Sequence, residues 1–568
     1  MSLDDQTTQG TVADSGPSAR WLPLLPLEAF PVGNEPLSAV RQAQWIWGFL
    51  AVGVVLRLVR YLLKFPLWED ECLLSANYLD RGYLDLLRPL DYYQVCVPGF
   101  LWAQLTAVKL LGFTEYSLRL VPLVCGLGSL FLFRHVAGRL LRGTALVLAV
   151  GIFSVGYPLV RYSTEAKPYG CDLFFGLAMF ALAIEWLRRP NEDRWLWWLC
   201  ALTGLAVWCS YPAVFVGGGI SAAVGYTLWR EGRHGWTAWA MYNLVLVASF
   251  AGLMALSRTA VGDSTQARMA ADWTAAFPPV AQPVKLLVWL ISTHAGNMLA
   301  YPVGDKNGAS AATLLCCLIS VALLVRRRQG AVLLLFLVPL GINLLAAALH
   351  RYPYGGHVRM ALYLGHVFCV LAALGATAAV GWLGRRSPNR PVAVLLTALL
   401  LLAGIQFCRD LSHPYKSTTT LRARDFARWF WFDMAQNSEL VCLHTDWKED
   451  VSPGSFDYGW SCLYVCNQRI YSPRHARGEP PDLGRVSASR PLRCVAFRSG
   501  ELERDCRPLE RWLANMQDRY QLVARDAYPF CAFDKWDNRS RGADTIEVFK
   551  FVPKGSLSVY NGSYCRDH

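Results

Sequence analysis

The chain has 568 residues, 54% of them hydrophobic and only 17% charged, which is too apolar for an ordinary soluble multidomain protein. Its formal net charge of +13 sits in short basic clusters between apolar runs and not along one polar face. That distribution argues against a nucleic-acid-binding protein and fits the ordering of membrane helices by their basic loops.

Residues 1–42 are polar, and no short apolar stretch with a small-residue cleavage site precedes Gln42, so an uncleaved cytoplasmic tail is expected. Apolar runs with few internal charges then predict eleven membrane helices, at about 43–63, 118–138, 142–160, 169–187, 195–211, 212–229, 238–257, 309–325, 331–349, 359–381 and 391–408. Two further apolar pieces, 100–111 and 284–299, are short or polar-flanked and suit helices lying in the interface, giving a range of 11–13 spans.

Charge decides between these options. With both short pieces left at the outer surface, the inner loops hold 14 Lys/Arg in 33 residues, and the outer loops (64–117, 161–168, 258–308 and 350–359) hold 12 in 123. Promoting one piece to a span would put Arg326-Arg-Arg328 outside, against the positive-inside tendency. The expected order is therefore N-terminus in, a first outer loop at 64–117, a large outer loop at 258–308, and residues 409–568 outside.

From Asp410 the apolar runs shorten to strand length, at 439–443, 463–465, 492–497 and 546–552, and 424–436 reads as an amphipathic helix. A small α/β or α+β extracytoplasmic domain is expected there. Seven of the 17 cysteines fall in it, which an oxidising compartment would allow to pair, with Cys72 or Cys96 as partners for an odd thiol. Cys462 and Cys466 with His475 lack a second ligand pair at metal-site spacing. Asn538-Arg-Ser540 and Asn561-Gly-Ser563 match the glycosylation sequon, which matters only in a eukaryotic lumen.

Three charged clusters fall on the expected outer side. Trp68-Glu-Asp-Glu-Cys72 places Glu69, Asp70 and Glu71 at the mouth of the first span, where they must meet water, cations or a substrate. Simple capping of the following helix is the plain alternative for Asp70 and Glu71, and solvation for Glu69. Arg161-Tyr-Ser-Thr-Glu-Ala-Lys-Pro-Tyr169 offers Arg161, Tyr162, Glu165 and Lys167, with an interfacial anchor as the structural alternative. His350 to Leu364 offers Arg351, His357 and Arg359 around Gly355-Gly356. Carboxylates and cations on one face suit a reaction between an anionic lipid-linked substrate and a neutral nucleophile.

On these residues the chain resembles the GT-C membrane glycosyltransferases of the protein O-mannosyltransferase and aminoarabinose-transferase group, over about 45–407. The Asp-Glu pair after the first helix, Arg161-Tyr-Ser-Thr-Glu-Ala-Lys-Pro-Tyr169 and Tyr352-Pro-Tyr-Gly-Gly-His-Val-Arg359 carry the resemblance. It implies a mainly α, polytopic GT-C helix bundle at 43–408, with outer-loop interfacial helices. It also implies sugar transfer, with inversion, from a polyprenyl-phosphate donor to an acceptor hydroxyl on a lipid, protein or glycan, at the extracytoplasmic face. The bacterial inner membrane is expected ahead of the ER membrane. Asp70 falls where the family has its catalytic acid, Glu71 where that acid or the sugar is oriented, and Glu165 at the second acidic position. Lys167, Arg351, Arg359 and His357 would hold the donor phosphate, and Arg161, Tyr162, Tyr92 and Tyr93 would line the site. Lys167 and His357 stand where Arg is usual, and Asp91-Tyr-Tyr-Gln-Val-Cys-Val-Pro98 departs from the family's sequence. No cofactor is expected. A divalent ion among Asp70, Glu71 and Glu165 stays open. Two other readings remain: a flippase of lipid-linked sugars, for which no inverted repeat is visible, and an assembly protein with a degenerate site.

Overall fold

A computed structural model describes residues 38–232, 235–260, 271–303, 308–383, 389–428, 440–445, 466–467, 469–471, 491–498, 513–530 and 544–554. The chain enters its first helix, α1 (Ala39–Leu62), through Ser38, whose side chain accepts from the Arg41 backbone N–H, a cap for one otherwise unpaired donor. Then follow α2 (Glu69–Ser75), α3 (Pro98–Leu111), α4 (Glu115–Leu140), α5 (Gly143–Val155), α6 (Tyr157–Tyr162), α7 (Tyr169–Arg188), α8 (Arg194–Cys209), α9 (Ala213–Glu231) and α10 (Trp236–Ala260).

Among the described residues eight helices are long and apolar enough to cross a membrane: Ala39–Leu62, Glu115–Leu140, Tyr169–Arg188, Trp236–Ser257, Ala309–Arg326, Gly330–Ala348, Val358–Trp382 and Pro391–Ser412. They coincide with eight of the eleven expected spans. The other three form helices that fall short of that standard. The 13-residue α5 ends where Gly156 and Pro158 start a new helix, and the 16-residue α8 ends before Ser210 and Pro212. The 19-residue α9 has the length, but glycines and hydroxyl side chains dilute its apolarity. Gly217-Gly-Gly219 does not break α9. It lets the helix approach its neighbour closely, since a Cβ on Gly219 would meet Pro339 Cδ at 2.5 Å.

The two short apolar pieces are also helical. One is α3, and the other is Pro283–Thr293 followed by a single π turn at His294–Met298. Val284, Leu287, Val288 and Ile291 lie exposed along the latter, as suits an interfacial helix.

From the end of the last apolar helix onward the chain is pinned back onto the first. Arg60 and Asp410 form a buried ion pair of 2.8 Å, and Arg424 donates to the Lys64 carbonyl at 3.0 Å from the helix Thr418–Ala427, which Ser417 caps. Tyr471 Oη donates to Glu115 Oε1 at 2.8 Å. Beyond lies a four-stranded sheet of β1 (Leu440–Thr445), β2 (Leu492–Arg498), β3 (Tyr520–Phe530) and β4 (Asp544–Pro553), ordered β1-β2-β4-β3. Its β1–β2 pair is parallel and the rest antiparallel. Three expected strands appear within these limits, β3 was not anticipated, and 463–465, 429–436, Cys462, His475 and both sequons lie outside the described residues.

Candidate active site

The three charged clusters meet at one end of the helix bundle. Burying ion pairs there requires close approach of loops, and two glycines supply part of it. Gly355 and Gly356 both adopt left-handed φ, of 66° and 73°, which L side chains rarely do. A Cβ on Gly356 would also meet Ala276 Cβ at 2.7 Å. This break turns the chain so that Arg359 points back toward α2.

Asp70, in the first turn of α2, is the centre of the arrangement. Its Oδ1 lies 2.9 Å from Lys167 Nζ and its Oδ2 2.7 Å from Arg359 Nη1. The latter contact spans 289 residues of sequence. Burial pushes the Asp70 carboxyl up, but Lys167, Arg359 and Lys416 together outweigh it and hold the group well below the usual carboxylate range. Lys167 also donates to Gln94 Oε1 at 2.8 Å, which brings the Asp91–Pro98 stretch into the site. The Arg359 guanidinium lies 5.2 Å from the Trp273 ring centre and 5.7 Å from that of Tyr169, within cation–π range.

Glu71, one residue on, is held quite differently. Its Oε1 accepts from Arg119 Nε at 2.9 Å and the Ala166 N–H at 2.7 Å, and its Oε2 from Arg119 Nη2 at 2.6 Å and the Trp68 N–H at 3.1 Å. A carboxylate has about four lone-pair sites, so Glu71 is saturated. At 1% exposure it joins α2, α4 and the loop before α7, and so fixes the turn of α2 that carries Asp70. Its bond to Trp68 N is the capping contact weighed from the sequence.

Glu165 is buried, with Oε1 2.6 Å from Arg161 Nε and Oε2 without a hydrogen-bond partner among the described residues. Arg161 and Lys416 draw its pKa below the usual range against the opposing effect of burial. Tyr162 Oη stands 3.4 Å from His357 Nδ1. Burial first, then Arg359, Arg161 and Lys416, pull the His357 imidazole down to about 3. His357 is thus neutral at ordinary pH and offers a hydrogen bond in place of the expected positive charge.

Arg351 does not join the cluster. It lies exposed on the turn after Gly330–Ala348, where its backbone N–H bonds the Ala346 carbonyl. Tyr92 and Tyr93 take left-handed φ, of 63° and 52°, at the rim beside Gln94, and the Tyr92 carbonyl accepts from Gln94 Nε2 at 3.1 Å. Of the three acids considered for a divalent ion, Glu71 has no lone pair to give, and no group of three metal-binding side chains occurs among the described residues.

Two site cations escaped the sequence reading. Arg119 sits one turn inside an apolar helix, a position whose cost was itself a signal. Lys416, in the segment after Pro391–Ser412, stands over the Trp68 ring, and nothing in its sequence surroundings marks it.

Residues 96–257 match the family described as dolichyl-phosphate-mannose-protein mannosyltransferase. The matched segment holds Arg119, Arg161, Glu165 and Lys167, and supports a membrane glycosyltransferase. None of the curated proteins matches the chain. Among solved structures the chain is similar to ArnT from Cupriavidus metallidurans, crystallised with undecaprenyl phosphate, at 11% identity and a TM-score of 0.48, covering 89% of this chain and 98% of that one. It is also similar to the oligosaccharyltransferase of Archaeoglobus fulgidus at 13% identity and a TM-score of 0.40, over 76% of this chain and 62% of that one.

Proposed function

We propose that the protein transfers a sugar from a polyprenyl-phosphate donor to an acceptor hydroxyl, at the extracytoplasmic face of its membrane, by a single inverting displacement. The observation that carries this reading is the Asp70 carboxylate held between Lys167 and Arg359 at one end of an apolar helix bundle. A phosphate entering this site would draw both cations toward itself. Asp70 would then lose the partners that depress its pKa while keeping the burial that raises it, and so become basic as the donor arrives.

In the transfer step the acceptor hydroxyl oxygen bonds to the anomeric carbon and its proton passes to Asp70. The bond from that carbon to the phosphate oxygen breaks, its electron pair staying on the phosphate. Negative charge therefore grows on the leaving group, and Lys167 and Arg359 stabilise it more in the transition state than in the bound donor. Glu165, whose Oε2 has no hydrogen-bond partner among the described residues, would accept a hydroxyl of the sugar or acceptor. Glu71 and Arg119 keep α2 in register for Asp70. The separate units expected at 1–42, 43–408 and 409–568, and the outward orientation, belong to this same reading.

Asp70→Asn keeps the shape of the side chain and removes the base. It is expected to leave the protein folded in the membrane and to abolish transfer from lipid-linked donor; full activity in that variant would remove Asp70 from the reaction. A flippase would keep its function in the same variant so long as lipid binding survived.

A further inference from the structure

Lys416 is not among the residues that the motifs of the three clusters supply. It follows the last apolar helix in the stretch His413-Pro-Tyr-Lys-Ser417, and its ammonium lies against the face of Trp68, the residue that precedes α2 and its Asp70. Trp68 is shared: the Arg359 guanidinium lies 6.0 Å from the same ring centre. Two anchors hold the segment in place, the buried Arg60–Asp410 pair before it and the Ser417 cap with the Arg424 bond to the Lys64 carbonyl after it.

The charges at this end of the bundle do not balance. Glu71 is cancelled by Arg119. Asp70 and Glu165 then face Arg161, Lys167, Arg359 and Lys416, each of which acts electrostatically on at least one of the two carboxylates. With Lys416 protonated, the surplus is two positive charges. Lys416 is the member of this set with no carboxylate within ion-pair distance among the described residues, and the contact its ammonium makes there is with an aromatic face. Burial lowers the pKa of its ammonium well below the usual range, so it gains more than an exposed lysine would from an anion set beside it.

We propose that Lys416 binds the phosphate of the lipid, and holds the departing polyprenyl phosphate most tightly, so that the segment after the membrane helices completes the active site. This rests on the donor reading above and adds to it a residue, a region and a charge argument. A sugar-linked phosphodiester carries one negative charge, whereas the released monoester approaches two at neutral pH, as phosphate monoesters do with a second pKa near about 6. A surplus of two positive charges matches the product better than the donor, which is the direction that favours bond cleavage.

The test uses the purified full-length protein with farnesyl monophosphate and farnesol as probes, in binding titrations of wild type, Lys416→Met, Lys416→Gln and Lys416→Arg. Wild type is expected to bind the phosphate much more tightly than the alcohol. Lys416→Met and Lys416→Gln should weaken phosphate binding about tenfold or more, as loss of a charge-assisted contact does, with farnesol affinity unchanged, and Lys416→Arg should restore most of it. An undiminished phosphate preference in both neutral variants would overturn the proposal. So would an equal loss for phosphate and alcohol, which would assign Lys416 to packing. If wild type does not distinguish the two probes, the donor reading itself fails and this inference falls with it.

Discussion

Two ionic centres lie one residue apart at the mouth of this bundle, and they are built for opposite purposes. Around Glu71 every lone pair is occupied, by one arginine fork and two backbone N–H groups, at the meeting point of α2, α4 and the loop before α7. Around Asp70 the partners are two long cationic side chains, Lys167 from the loop before α7 and Arg359 from the start of the helical segment Val358–Trp382. Backbone donors cannot leave a carboxylate without unfolding the helix start, whereas lysine and arginine side chains can turn to another anion. The difference separates architecture from chemistry: a saturated acid fixes a shape, and an acid held by exchangeable cations is available to react.

The comparison is broken most severely at Asp70. Asp70→Asn should lower sugar transfer by about 10²–10⁴, the range that a general base contributes, with little change in the midpoint of thermal unfolding. Next in size is Arg119→Met, which strands Glu71 as a buried, unpaired charge. It should cost about 3–5 kcal/mol of stability, seen as a lowered unfolding midpoint and less protein in the membrane, so that activity falls through abundance. The two variants should thus fail in different assays.

A smaller effect sharpens the electrostatic side. Because the folded pKa of Asp70 lies below its unfolded value of about 3.9, its pairing stabilises the protein fully above that value and the benefit is lost as pH falls through the lower, folded one. The small difference in unfolding midpoint between wild type and Asp70→Asn should be constant from neutral pH down to about 4 and shrink only on further acidification. His357, held near 3, should leave no inflection between pH 5 and 8, so His357→Gln should keep the wild-type pH profile of transfer in that window. Least of all is expected from Arg351→Ala, whose residue is exposed and apart from the cluster; transfer and stability should both stay at wild-type levels.

These outcomes bear on how much a sequence of this kind discloses. Apolar run length placed the bundle, and the clusters at Asp70, Glu165–Lys167 and Arg359 were visible as charges where a membrane helix begins or ends. Their convergence was not visible, because it depends on turns such as Gly355-Gly356 and on contacts across hundreds of residues. Nor could local pattern divide Asp70 from Glu71: both are acids in one helical turn, and only Arg119, from another helix, tells them apart. Arg351 and Arg359 looked equivalent for the same reason. Lys416 was hidden because it sits in a polar connection beyond the last apolar helix, where a lysine is ordinarily solvated, and only the folding of that connection over Trp68 gives it a role. In the C-terminal region, β1, β2 and β4 showed as short apolar runs, whereas β3, with Arg525, Asp526 and Pro529 in it, did not.

The central claim is that Asp70 reacts while Glu71 only supports. It is tested most directly in cells lacking the native protein and supplied with wild type, Asp70→Asn or Glu71→Gln, by quantifying the protein in membranes alongside mass spectrometry of polyprenyl-phosphate-linked sugars. The account predicts that Asp70→Asn is present at wild-type abundance while the lipid-linked sugar accumulates, and that Glu71→Gln is depleted in proportion to any activity lost. Normal donor turnover with Asp70→Asn, or full abundance and no turnover with Glu71→Gln, would contradict it.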